Sequence, residues 1–285
     1  MKIKPIYYLL VIVIILAACK QQTEFKANAP DGLQISYTDH GSGEPALVFV
    51  HGWSCDKSYW KNQVPAFSDN YRVITIDYGG HGQSGTQREK FTIESFGSDV
   101  VAVLEKLQPN EVILIGHSMG GQVILEAASQ IPEKVGALIG VDTYQQFTDT
   151  TFTPEIFEEY TAPFYSDFTS STDQFVRDMF PENADQNLVD EIATDMSSAN
   201  PRIAMQAFES MFKYGDKIPG TLSELNIPVY AINADLWPTN ETYNKTMAKD
   251  FKVSYMPGYG HFIMLENPEL FNEKLQEMID EIQKQ

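Results

Sequence analysis

Residues 112–121 read V-I-L-I-G-H-S-M-G-G, a run of β-branched and aliphatic side chains that stops abruptly at a serine set among glycines. Val112 to Gly116 has the length and composition of a buried strand, and Gly120 to Gln130 that of a helix. A plain glycine-relieved turn would join two such elements. So would a tight strand-to-helix corner, in which Gly116 and Gly120 keep side chains out of the way and Ser118 is pushed outward. Gly116-His117-Ser118-Met119-Gly120 fits G-x-S-x-G in the strand-then-helix context that a nucleophile elbow requires.

A serine hydroxyl is a weak nucleophile at neutral pH and needs a base, which in turn needs an orienting acid. In a chain that carries this elbow the order is serine, acid, histidine. The five histidines are His40, His51, His81, His117 and His261, and of these His261 alone follows Ser118 at any distance. It lies in Gly258-Tyr259-Gly260-His261-Phe262, directly after an expected strand, Lys252 to Met256. Elimination therefore makes His261 the candidate base.

Outward from the elbow, strand-like and helix-like segments alternate. Leu33–Tyr37, Ala46–Val50, Arg72–Asp77, Val135–Val141 and Ile227–Asn233 read as further strands. Lys57–Phe67, Phe91–Leu107, Tyr243–Phe251 and a last segment from Asn267-Pro268 to about Gln283 read as helices. Such alternation implies an α/β fold: a mostly parallel sheet with helices on both faces. Residues 146–217 break the pattern, with no convincing strand and 14 acidic residues against four basic ones. They read as a helical cap inserted between two core segments, 31–145 and 218–285.

The N-terminus stands apart. Lys2 and Lys4 precede the uncharged apolar run Ile6 to Ala18, too short for a membrane span but of the length of a secretory signal. Leu16-Ala17-Ala18-Cys19 resembles a bacterial lipobox, which implies a signal peptide over 1–18, lipid on Cys19, a tether over 19–30 and a catalytic domain outside the cytoplasm in the cell envelope. With Cys19 lipidated, the second cysteine, Cys55, has no disulfide partner. The net charge of −19 speaks against nucleic acid and anionic headgroups as ligands, leaving the lipid on Cys19 as the expected membrane contact. The sequence has no H-E-x-x-H, no paired cysteines and no phosphate-binding glycine motif, so neither a metal nor a nucleotide cofactor is expected.

Taken together, His51-Gly52-Trp53 after one strand, Asp77-Tyr78-Gly79-Gly80-His81-Gly82-Gln83-Ser84 after the next, the elbow, and Gly260-His261-Phe262 followed by Glu266-Asn267-Pro268 resemble the α/β-hydrolase superfamily. The likeness is to its members with a helical cap, and covers residues 33–143 and 220–283. At Gly80 the family usually carries a basic residue. The resemblance implies an oxyanion hole from the backbone N–H groups of Trp53 and Met119. It also implies a triad acid after the strand that precedes the histidine strand: Asp235 in Asn233-Ala234-Asp235-Leu236-Trp237-Pro238, with Asp142 at the end of Val135–Val141 as the alternative. His51, His81 and His117 are expected to be structural hydrogen-bonders, and Trp53, Met119 and Tyr144 candidate pocket walls. The implied activity is hydrolysis of a small to medium carboxylic ester or lactone through an acyl-enzyme. Amide or carbon–carbon bond hydrolysis, cofactor-free perhydrolysis and a non-catalytic, ligand-binding lipoprotein are the alternatives. A serine at the elbow disfavours the aspartate-based dehalogenase and epoxide hydrolase reactions.

Overall fold

A computed structural model of the chain describes residues 24–147, 153–248 and 250–284. The expected signal peptide and Cys19 lie outside the described residues. Eight strands make one sheet: β1 (Glu24–Asn28), β2 (Gln34–His40), β3 (Ala46–Val50), β4 (Val73–Asp77), β5 (Val112–His117), β6 (Val135–Val141), β7 (Val229–Ala234) and β8 (Lys252–Met256). Their spatial order is β1-β2-β4-β3-β5-β6-β7-β8. The pairs β1/β2 and β2/β4 are antiparallel and every later pair is parallel. This is the α/β-hydrolase fold, with β3, β4 and β5 buried along their whole length, as central strands of a parallel sheet covered on both faces are.

The helices are α1 (Gln63–Phe67), α2 (Ile93–Leu107), α3 (Met119–Gln130), α4 (Pro154–Ser166), α5 (Phe168–Arg177), α6 (Gln186–Ser197), α7 (Pro201–Tyr214), α8 (Ile218–Glu224), α9 (Glu241–Met247), α10 (Ile263–Glu266) and α11 (Pro268–Ile282). Expected and observed ends differ where a cap intervenes. The helix expected from Phe91 begins at Ile93, because Thr92 and Ser95 close a reciprocal capping box with each other's backbone N–H. The segment Lys57–Phe67 is not one helix but a 3₁₀ turn, Lys57–Trp60, followed by α1. A larger correction concerns the tether. Residues 24–28 are strand β1, whose partners on β2 run from Thr38 to Gln34, so the sheet begins inside the stretch read as polar linker.

The Asp77–Ser84 motif is a clasp. Asp77 accepts from the Lys57 and Gln83 N–H groups and pairs with Lys57 Nζ at 2.6 Å. Ser84 Oγ donates to the Asp77 carbonyl and accepts from Ser36 N–H. The missing basic residue at Gly80 has a structural answer. A methyl added there would lie 2.7 Å from both Phe91 and Ile203, leaving no room for a long side chain. One residue earlier, a methyl on Gly79 would meet Arg88 Nη1 at 2.8 Å. Arg88, from the next loop, reaches the Gly79 position and pairs through both terminal nitrogens with buried Asp99.

Candidate active site

The elbow is held by close backbone approach. A methyl on Gly116 would lie 2.4 Å from the carbonyl oxygen of Gly120, and one on Gly120 would lie 2.5 Å from that of His51. Strand, helix and the β3 loop therefore touch without side chains between them. Ser118 takes φ +53°, ψ −122°, a conformation that costs about 1–3 kcal/mol for a residue with a side chain and persists only where the surroundings over-determine it. Its N–H bonds the carbonyl of Val141 at 3.0 Å. Among its neighbours His117, Met119 and Gly120, all buried, Ser118 alone is half-exposed.

Ser118 and His261 line one small cavity of about 50 Å³ with Trp53, Phe175, Phe208 and Met211 among its walls. The carboxylate on His261 is that of Asp142. Nδ1–H donates to Oδ2 at 2.5 Å, with side-chain exposures of 8% and 1% for the two residues. The preference for Asp235 is thereby corrected at the level of contact. Asp235 instead accepts the Gly258 N–H at 2.7 Å in an exposed turn. The reason lies at the end of β6, where Asp142 and Tyr144 adopt φ of +42° and +61°. This turn leads the chain directly under the histidine loop. Asp142 is anchored there, its N–H on Ile232 O at 2.8 Å and its Oδ1 accepting Ala234 N–H at 2.9 Å.

The loop carrying His261 is fixed from three sides. Glu266, at the end of α10, accepts the N–H groups of Gly260 and Phe262, which bracket the histidine. His117 Nε2–H donates to the carbonyl of His261 at 2.9 Å, its ring 4.6 Å from that of His261. The cap contributes the third tie, the carbonyl of Met179, which accepts the His261 N–H at 3.0 Å. Trp237 covers the outer side with an edge contact at 5.4 Å. Sequence reasoning missed Glu266 as a positioning group, although the Glu266-Asn267-Pro268 signature already marked it. The ties from Met179 and Trp237 have no sequence signal of their own.

His51 and His81 donate to the carbonyls of Gly52 and Gly79. Burial lowers their pKa values to about 4 and about 3, and drives that of His117 well below the ordinary range. All three are thus neutral hydrogen-bonders at pH 7. Trp53 walls the Ser118 cavity, and its indole N–H is tied to Ala204 O of α7 at 2.7 Å. Tyr144 lines a different, larger cavity, whereas Met119 is buried beneath the elbow and lines neither of the two. Met119 N–H heads α3, where a helix leaves its first N–H groups without intrahelical acceptors. Cys55 is buried, with its thiol pKa pushed up by burial and its Sγ donating to Trp53 O. Among the described residues there is no group of three His, Cys, Asp or Glu able to hold a metal ion, and no helix long and apolar enough to cross a membrane.

Comparison with known proteins shows the family. Residues 45–218 match the alpha/beta hydrolase fold family. The uncharacterised hydrolase YugF of Bacillus subtilis is 28% identical over 268 residues, 87% of this chain and 95% of that protein. Among solved structures, a bromoperoxidase from Bacillus anthracis superposes with a TM-score of 0.79 at 23% identity, covering 90% of this chain and all of that one. A thermophilic esterase from Thermogutta terrifontis gives 0.79 at 22% identity, covering 91% and 99%. With this sheet order and a family match over more than half of its length, the chain belongs to the α/β-hydrolase-fold family, and it is a hydrolase.

Proposed function

We propose that the protein is a serine ester hydrolase acting through Ser118, His261 and Asp142. The observation that carries this reading is the buried 2.5 Å contact between His261 Nδ1 and Asp142, in a histidine that shares a cavity with the strained elbow serine. With Nδ1–H given to Asp142, Nε2 keeps its lone pair for the serine proton. Ser118 Oγ attacks the acyl carbon while its proton passes to His261 Nε2. The carbonyl oxygen becomes an oxyanion, met by the N–H groups of Trp53 and Met119. Collapse expels the alcohol, which takes the proton from His261 and leaves an acyl-serine. Water then repeats the sequence, giving its proton to His261 as its oxygen bonds the acyl carbon. Ser118 departs with that proton and the acid is released.

Similar proteins named as a putative esterase/lipase and as an enol-lactonase support an acyl–oxygen bond as the target. The test is hydrolysis of p-nitrophenyl esters by residues 20–285, beside Ser118→Ala and His261→Ala. Loss of a triad nucleophile or base costs up to about 10⁶ in turnover. The expected result is activity in the parent and background in both variants, with a fluorophosphonate adduct on Ser118 of the parent. A parent inert to both ester and fluorophosphonate would leave a ligand-binding protein instead. The lipobox-like Leu16–Cys19 supports envelope anchoring through lipid on Cys19. Metabolic labelling with a fatty acid, lost in Cys19→Ala, tests that part.

A further inference from the structure

The space around Ser118 is divided unequally. The cavity that Ser118 and His261 line holds only about 50 Å³ and is walled by aromatic and methionine side chains. A second cavity of about 820 Å³ lies between the cap and the core. The two share Phe208 and Met211, both on α7, so two side chains form the wall between them. Met211 is unbranched and repacks at low cost, which makes this partition yielding rather than fixed.

The large cavity has a chemistry of its own. Tyr144, Phe147, Phe157 and Phe212 give it aromatic faces, with Phe157 and Phe212 stacked at 4.7 Å. Gln122 lies in the first turn of α3, four residues after the candidate nucleophile, and its Oε1 is buried without a hydrogen-bond partner. A buried amide oxygen left unpaired costs about 1–3 kcal/mol, and a rotation of the Gln122 amide toward the cavity it lines brings that oxygen to a ligand N–H or O–H and recovers the loss. Asp216 is the one formally charged group among the described lining residues. The occupant is therefore uncharged or cationic, apolar over most of its surface, and carries a hydrogen-bond donor.

Sheet order decides which half of the substrate goes where. Trp53 follows β3 and Thr143–Phe147 follow β6, and the two strands flank β5, which carries Ser118. The large cavity is thus on the β6 side, the side of Asp142 and the histidine it holds. The leaving-group oxygen must come within reach of His261 to be protonated, so the leaving group departs toward β6. We propose that the substrates are esters of a short acyl group, acetyl to about butyryl, with a larger, uncharged or cationic, donor-bearing aromatic alcohol. The acyl chain occupies the small cavity and the alcohol the large one, past Phe208 and Met211. This inference rests on the serine-hydrolase reading.

The experiment compares two ester series on residues 20–285: phenyl acetate, butyrate and octanoate, and the acetates of phenol, 2-naphthol and 4-acetamidophenol. The expected kcat/KM falls at least tenfold from acetate to octanoate and does not fall from phenol to the larger alcohols. Gln122→Leu raises KM for 4-acetamidophenyl acetate severalfold more than it raises KM for phenyl acetate. Met211→Ala, at a half-buried position that tolerates truncation better than buried Phe208, narrows the acetate-to-octanoate ratio by opening the small cavity into the large one. A parent that prefers octanoate, or a Gln122→Leu variant whose ratio of KM values for the two acetates equals the parent's, overturns the division. A parent that hydrolyses no ester and takes no fluorophosphonate on Ser118 overturns the hydrolase reading itself, a different result from a reversed size profile.

Discussion

Asp142→Asn is the substitution that tests the active-site reading most sharply, because the structure and the sequence point to different carboxylates. In the native site, Asp142 Oδ2 accepts the His261 Nδ1–H at 2.5 Å while Oδ1 accepts Ala234 N–H at 2.9 Å. An asparagine fits the same space and keeps an acceptor for Ala234, so the fold survives. Its NH₂ group then faces His261 Nδ1 and stabilises the tautomer with the proton on Nε2, the wrong one for accepting from Ser118. In a serine protease triad the same exchange lowers kcat about 10⁴-fold, about 5.5 kcal/mol of transition-state stabilisation. The burial of Asp142, at 1% side-chain exposure, argues for a loss of that order here, since no water can re-orient the ring.

Asp235→Asn provides the contrast. Its Oδ1 accepts Gly258 N–H at 2.7 Å in an exposed turn, and asparagine replaces that acceptor directly. The expected effect is less than about threefold, within the range of surface substitutions. Steady-state kcat/KM on p-nitrophenyl acetate, with thermal melts to establish folding, separates the two. A folded Asp142→Asn enzyme within tenfold of the parent, or a collapse of activity in Asp235→Asn, would refute the reasoning.

Three further outcomes follow from other contacts. Glu266→Ala releases the two N–H groups that bracket His261, and a loss of about 10- to 100-fold in kcat with KM little changed is expected, Glu266→Gln losing less. Arg88→Met strands the carboxylate of Asp99 in the core, a loss of about 3–5 kcal/mol, read as a fall in Tm of roughly 10 °C. Removing Asp99 as well, in Arg88→Met/Asp99→Leu, recovers part of it, the Gly79 N–H remaining unpaired. Acid pH acts through the buried histidines. His51, His81 and His117 have folded pKa values below the ordinary 6.5, so unfolding takes up protons below that pH. Stability therefore falls on acidification from pH 6.5 toward about 4, by up to about 1.4 kcal/mol per pH unit per histidine. Asp77, Asp99 and Glu266, raised by burial, act the other way, favouring the folded state as pH falls through their folded values. Urea midpoints measured between pH 5 and 6.5 read the net slope, and His117→Asn reduces the histidine contribution to it by up to one proton.

Much of the architecture was legible because buried parallel strands announce themselves. Ala46–Val50 and Val135–Val141 have the bounds expected from their apolar runs, and β5 adds only His117. Ser118 and His261 were legible for a different reason: the elbow has a steric signature, and one histidine follows it. The acid was not legible, since which aspartate meets the imidazole depends on a turn with positive φ at Asp142 and Tyr144, neither of them glycine. Residues 24–28 hid for a related reason. An edge strand is half-exposed, so Glu24-Phe25-Lys26-Ala27-Asn28 reads as polar linker although it pairs residue by residue with β2.

The same contrast explains the unequal cavities. A sheet fixes what lies on either side of its central strand, so β3 and β6 set the two flanks of Ser118 regardless of what the cap does. The cap sets how much room each flank is given. Trp53 gathers the rings of Phe164, Phe168, Phe175 and Phe208 within about 6 Å on the β3 side, and its indole N–H is tied to α7. That packing closes the flank nearest the candidate oxyanion donors. On the β6 side, Gln122 and Thr143 to Phe147 line the open space that faces α7 and α8. Selectivity for one half of a substrate over the other would then be changed by exchanging cap residues alone, with Ser118, His261 and Asp142 left in place.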